Sequence, residues 1–76
     1  MIKFSHSKLD NLPLALKYWR SISEYSQLDI ANYLLVSQSA VSKWERGLAV
    51  PSLYNFLDLM CLYDVDSVNK FFSFPL

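Results

Sequence analysis

The stretch SQLDIANYLLVSQSAVSKWERG, residues 26–47, decides the fold. Ser26 is followed three residues later by Asp29, a variant of the capping box, and this pair predicts the start of a helix. Ser37 is placed to cap a second helix, and Gly47 to end it where the chain turns left-handed. Two short helices joined by a turn of about three or four residues make a helix-turn-helix, which we predict over these 22 residues.

Polar and apolar side chains of this stretch separate onto two faces at helical spacing. The predicted inward residues are Ile30, Ala31, Leu34, Val36, Val41 and Trp44. The predicted outward residues of the second helix are Gln38, Ser39, Ser42, Lys43 and Arg46. Solvated helices usually carry Glu–Lys pairs there, whereas Gln pairs bidentately with adenine and Lys with guanine in the major groove. The outward face is therefore predicted to be a DNA recognition surface.

Helical patterns continue on both sides. Asn11 is predicted to cap a first helix with Pro13 in its first turn, and Asp66 to cap a last short helix that Pro75 cannot extend. Between them, Pro51 and Ser52 are predicted to begin a helix with these inward residues: Leu53, Phe56, Leu57, Met60 and Tyr63. No stretch alternates with the period of a strand. The sequence predicts an all-α fold, a compact bundle of about five short helices forming one domain over residues 1–76.

Composition argues against catalysis, metal binding and membrane insertion. One histidine, His6, and one cysteine, Cys61, give no metal-ligand cluster, no internal disulfide and no nucleophile–base relay. Cys61 is predicted to be a small buried residue in its helix. No apolar run reaches the roughly 18 residues of a membrane span, and no signal peptide is evident. We expect a cytoplasmic protein that is not an enzyme and needs no cofactor or metal.

The net charge of zero conceals an uneven distribution. Residues 1–47 contain six Lys and Arg residues and four carboxylates. Residues 48–76 contain one lysine and three carboxylates. We expect the first part to face DNA and the second to point away from it. Lys3 and Lys8 either form an arm along the DNA backbone or are ordinary solvated lysines.

The pattern Gln27-x-x-Ile30-Ala31-x-x-Leu34-x-Val36-Ser37-Gln38-Ser39-x-Val41-Ser42-x-Trp44-Glu45-Arg46-Gly47, followed by Pro51-Ser52-Leu53, resembles the Xre or Cro-like (lambda-repressor-like) helix-turn-helix of phage repressors. The resemblance extends over about residues 12–66 without gaps. It implies a five-helix bundle that binds a specific operator as a homodimer.

Residue roles follow from the resemblance position by position. It implies that Gln27 holds a phosphate at the start of its helix, and that Arg20 pairs with Glu45 to bridge two helices. The implied base-reading residues are Gln38, Ser39 and Lys43, and the implied backbone-phosphate contacts are Ser37 and Arg46. Ser42 completes the predicted DNA-binding set.

The chain departs from the family pattern at four positions. Leu35 and Asp64 stand where the family usually has glycine, and a leucine held at positive φ costs on the order of 1 kcal/mol. Leu28 and Tyr33 occupy outer positions that are usually charged.

Large apolar side chains concentrate near the end of the sequence, among them Leu76. They are expected to cover either their own core or a second subunit, and a dimer is the favoured interpretation. The predicted dimerisation residues, within segment 66–76, are Val68, Phe71, Phe72 and Phe74. The favoured function is a DNA-binding regulator, a repressor that binds double-stranded DNA at a palindromic operator. The alternative is a protein-interaction module, such as an antitoxin that docks a toxin through Leu28, Tyr33, Tyr54 or the Phe-rich tail.

Overall fold

The computed structural model describes residues 11–75, which form five α-helices and no strand. In chain order they are α1 Leu12–Ile22, α2 Gln27–Leu34, α3 Gln38–Glu45, α4 Leu53–Leu62 and α5 Val68–Phe72. The predicted all-α fold with about five short helices is confirmed. The expectations for Lys3, Lys8, His6 and Leu76 lie outside the described residues.

Serine side chains begin four of the five helices. Ser26 Oγ accepts a hydrogen bond from Asp29 N (3.0 Å) while Asp29 Oδ2 accepts one from Ser26 N (2.8 Å), so the predicted capping box is present. Ser37 and Ser52 cap α3 and α4 in the same manner. The prediction that Asp66 caps the last helix was wrong. The cap is the next residue, Ser67, whose Oγ accepts a hydrogen bond from Lys70 N in the first turn of α5.

Asn11 precedes α1 without capping it. Its backbone is already helical (φ −85°, ψ 0°), whereas a capping side chain requires an extended backbone at that position, and its side chain makes no capping hydrogen bond. Pro13 lies in the first turn of α1 as predicted.

The core lies where α1, α2 and α3 meet the end of α4 and α5. Its buried side chains are Ala15, Leu16, Ile30, Ala31, Leu34, Val41, Trp44, Leu59, Met60, Val65, Phe71 and Phe74. All the predicted inward residues of the helix-turn-helix belong to it except Val36, which packs against it half-buried. The indole of Trp19 donates a hydrogen bond to the carbonyl of Phe71 (2.9 Å) and so fastens α5 to α1.

The inner face of α4 differs from the prediction. Leu53 and Leu57 are 68% and 45% exposed, while Leu59 is buried instead. Cys61 is exposed, and the prediction that it is buried was wrong. It follows the buried Met60, and one residue rotates a helix by about 100°, which carries the thiol away from the core.

The C-terminal aromatic residues serve this chain's own core. Phe71 is fully buried and Phe74 is 8% exposed. In this chain they cover their own core, one of the two alternatives that the sequence left open, and a role in dimerisation stays a prediction. Val68, 52% exposed, and the half-buried Phe72 remain at the surface.

Among residues 11–75, three non-glycine residues adopt left-handed backbone conformations in turns. Leu35 (φ 59°) and Asp64 (φ 56°) do so at the positions where the family pattern has glycine, and Glu24 (φ 62°) does so after α1. Leu35 ends α2, and the next residue, Val36, donates a backbone hydrogen bond to Ala31 O (3.0 Å). The turn of the helix-turn-helix thus keeps the expected geometry without a glycine.

Candidate nucleic-acid interface

α3 packs one face into the protein and leaves the other open. Val41 and Trp44 are buried between α1 and α2, while Gln38, Ser39 and Lys43 are exposed on the opposite side. Exposed Arg46 follows the helix, and Ser42 is half-buried. The exposed face consists of short polar groups and two cations, with no exposed carboxylate on the helix.

The N-terminus of α3 is suited to an anion. Ser37 Oγ accepts from Ala40 N (3.0 Å), but the backbone N–H groups of Gln38 and Ser39 have no acceptor within the helix. α3 has no acidic residue in its first turn to use the positive end of its dipole. A phosphate is the kind of group that such a helix terminus binds.

The last residue of α3 is tied to α1 by an ion pair. Glu45 Oε2 accepts from Arg20 Nε (2.6 Å) and Oε1 from Arg20 Nη2 (2.9 Å), so the pair is bidentate. The Arg20 side chain is 16% exposed, and the Glu45 side chain is 5% exposed. The hydrogen bond to Glu45 raises the pKa of Arg20, whose Nη1 also donates to Tyr25 O (2.9 Å). The structure thus brings together the two residues that the resemblance pairs, and the bridge holds the angle of α3.

Aromatic residues lie near this ion pair. Tyr63, after α4, stacks with Trp19 at a centroid distance of 6.5 Å and lies at the same distance from Tyr25. Burial, and secondarily the Glu45 carboxylate, raise the pKa of Tyr63, so its hydroxyl stays protonated. The low exposure of the Arg20 and Glu45 side chains strengthens the attraction between their charges.

Gln27 joins the same network. It is the first residue of α2, its side chain is half-buried, and its Nε2 donates to Glu45 Oε1 (3.2 Å). Arg46 makes a long hydrogen bond (3.4 Å) from Nε to Ser42 O, which places its guanidinium beside the end of α3. The link between Gln27 and Glu45 joins residues 18 positions apart, and no sequence spacing signals it.

An apolar groove that the sequence did not predict lies away from α3. It has a volume of about 250 Å³, and its lining residues are Leu12, Pro51, Leu53, Phe56, Val68 and Phe72. One signal was present: residues 47–57 contain no charged side chain. A second depression, of about 480 Å³, lies beside α2, between Tyr25 and Tyr33.

The described part of the chain holds neither a metal-ligand cluster nor a membrane-spanning helix. Residues 11–75 hold no group of three or more His, Cys, Asp or Glu side chains that could bind a metal ion. No helix in this part of the chain is long and apolar enough to cross a membrane.

A capped helix held against two others, with a polar and cationic face left open, defines the class of helix-turn-helix proteins that bind DNA. Comparison with known families agrees: the Helix-turn-helix family model HTH_3 matches residues 16–68. The chain belongs to this Xre/lambda-repressor-like helix-turn-helix family of DNA-binding regulators. Neither the curated proteins nor the solved structures gave a match.

Proposed function

We propose that this protein is a transcriptional repressor that binds a palindromic operator as a homodimer and reads it with α3. The observation that carries the proposal is the exposed face of α3, where Gln38, Ser39 and Lys43 stand clear of the core. These side chains match the donors and acceptors of base edges in the major groove. Such a regulator acts where the chromosome is, so the proposal places it in the cytoplasm.

Phosphate binding depends largely on neutral donors in this proposal. Among the described residues, Lys43 and Arg46 are the cations at α3, and Arg20 is engaged by Glu45. Ser37 and the free N–H groups at the starts of α2 and α3 supply the remaining contacts. Glu45 is the carboxylate on α3 itself, and its ion pair with Arg20 compensates its charge.

Selection from a random double-stranded library tests DNA recognition without knowledge of the operator. The proposal expects enrichment of one motif with two-fold symmetry, and a mobility shift with duplexes that carry it. Lys43 and Arg46, with up to two of Lys3, Lys8 and Lys17, give about two to four ionic contacts per subunit. The logarithm of affinity should therefore fall with the logarithm of the salt concentration, with a slope of roughly −4 to −7 for the dimer. No enriched motif and a slope near zero would favour a protein-interaction module instead.

The apolar groove supports the homodimer. Its lining residues Pro51 and Leu53 belong to a segment without charge, in which Leu48, Val50, Leu53 and Tyr54 are each at least 65% exposed. Interface cores are depleted of charge in this way. In a two-fold dimer, exposed apolar side chains of each copy can enter the groove of the other copy. A second copy of this chain is therefore the proposed occupant of the groove.

Sedimentation at micromolar concentration tests the dimer with a matched pair of variants. Val68 in the groove and Leu28 on α2 are equally exposed at 52%. Val68→Asp should yield monomers because it places a charge in the interface, while Leu28→Asp should leave the dimer intact. A monomeric wild-type protein, in solution and on DNA, would contradict the homodimer and the symmetric operator with it.

A further inference from the structure

The carboxylate of Glu45 gathers donors from two other helices. Arg20 of α1 supplies two of its hydrogen bonds, and Gln27 of α2 supplies a third, from Nε2 to Oε1 at 3.2 Å. The Glu45 side chain is only 5% exposed, so these partners replace water around the charge. The last turn of α3 and the first residue of α2 are thereby joined through one carboxylate.

This contact decides which end of the Gln27 amide faces the protein. A side-chain amide has a donating NH₂ end and an accepting carbonyl end, which exchange places by rotation about one bond. An ionised carboxylate accepts hydrogen bonds only, so it holds the NH₂ end of Gln27 against Glu45. One N–H is used there, and the second N–H of the half-buried side chain is left for another acceptor.

Backbone N–H groups beside Gln27 are open to an anionic acceptor, and the first turn of α2 also holds the Asp29 carboxylate, which accepts from Ser26 N. Ser26 Oγ caps Asp29 N, but the backbone N–H groups of Gln27 and Leu28 have no acceptor within α2. The bidentate contact with Arg20 compensates the charge of Glu45, so the carboxylate orients the amide without strongly repelling an anion.

We infer that Glu45 is a positioning residue for phosphate binding: it orients the Gln27 amide so that its free N–H meets a DNA phosphate at the start of α2. The inference rests on the proposed function and deepens it. Without the carboxylate, the amide can turn its carbonyl oxygen toward the phosphate, which repels it. The same carboxylate also fixes the end of α3. The position of the phosphate contact relative to the recognition helix α3 is therefore held constant.

A scan of the selected duplex with single uncharged methylphosphonate linkages locates the contact. For the wild-type protein, neutralising one phosphate per half-site should lower affinity about 10-fold, the scale of a hydrogen bond to a charged group. Gln27→Ala and Glu45→Gln should each abolish the penalty at that phosphate. Arg46→Ala, which removes a different phosphate contact, should preserve it. A uniform loss of affinity in Glu45→Gln, with the penalty at that phosphate retained, would overturn the inference.

The wild-type chain supplies a second measurement that does not depend on a variant folding. In the free protein, the two side-chain N–H protons of Gln27 should differ in solvent exchange, because one is bonded to Glu45. The exposed side chain of Gln38 is the matched control, and its two protons should exchange alike. Equal exchange at Gln27 would contradict the inference. Failure to select any duplex would instead contradict the proposed function, so the two failures are distinguishable.

Discussion

Replacing Leu35 with glycine should stabilise this protein, although the same replacement normally destabilises a domain. Leu35 ends α2 in the left-handed conformation (φ 59°), and its side chain is 91% exposed. The substitution therefore removes almost no buried surface. It acts on the backbone of the turn that joins α2 to α3.

The magnitude follows from two opposing terms. A left-handed conformation costs an L-residue about 1–2 kcal/mol, which glycine does not incur. Glycine loses more backbone entropy on folding, worth about 0.5–1 kcal/mol. Taken at the midpoints of these two ranges, the balance for Leu35→Gly is a stabilisation of about 0.8 kcal/mol, or a rise in Tm of about 3–6 °C for a domain of this size.

Thermal unfolding followed by circular dichroism measures both the change and its control. Leu28→Gly makes the same replacement at the second residue of α2, a half-exposed site. It should destabilise by up to about 1 kcal/mol, the difference in helix propensity, and lower the Tm by up to about 8 °C. Opposite signs for Leu35→Gly and Leu28→Gly are the expected result. A comparable loss of stability in both variants would refute the reasoning about the turn.

Three further predictions concern helix docking, pH and capping. Trp19→Phe removes the hydrogen bond to Phe71 O and should cost about 1–2 kcal/mol in urea unfolding, with faster proteolysis of the C-terminal segment; unchanged cleavage would contradict it. The Ser26 backbone N–H and hydroxyl lower the pKa of Asp29 below 3.8, so the contribution of Asp29 to stability is complete above that pH and lost as the pH falls through the lowered pKa. Asp29→Asn should therefore flatten the acid side of a curve of Tm against pH, and an unchanged curve would contradict this prediction. Ser37→Ala removes the cap of α3 and should cost about 1 kcal/mol in thermal unfolding, with no change as the contrary result.

Local features could be predicted from the sequence because their partners are close along the chain. The Ser26–Asp29 capping box, the Ser37 cap and the inward spacing of Val41 and Trp44 depend only on neighbours within one or two turns. Gly47 follows the same rule, with its positive φ of 76° after α3.

Features that depend on how helices meet were not predictable in the same way. Whether Phe71 and Phe74 cover their own core or a second subunit depends on the docking of α5 against α1, for which sequence spacing carries no signal. The exposure of Cys61 required the rotation of α4, which depends on whether Leu57 or Leu59 faces inward. At the candidate interface, the residue types of α3 were readable, whereas the contact between Gln27 and Glu45 was not.

The central claim, that α3 reads base sequence, is tested most directly by fluorescence anisotropy on the selected duplex and on duplexes with each base pair changed. The matched variants are Lys43→Ala in α3 and Lys70→Ala in α5, both at exposed lysines. Lys43→Ala should lose about 1–3 kcal/mol on the selected duplex and relax preference at one position of each half-site, while Lys70→Ala keeps both affinity and preference. An unchanged base preference in Lys43→Ala, with equal affinity losses in the two variants, would contradict the claim.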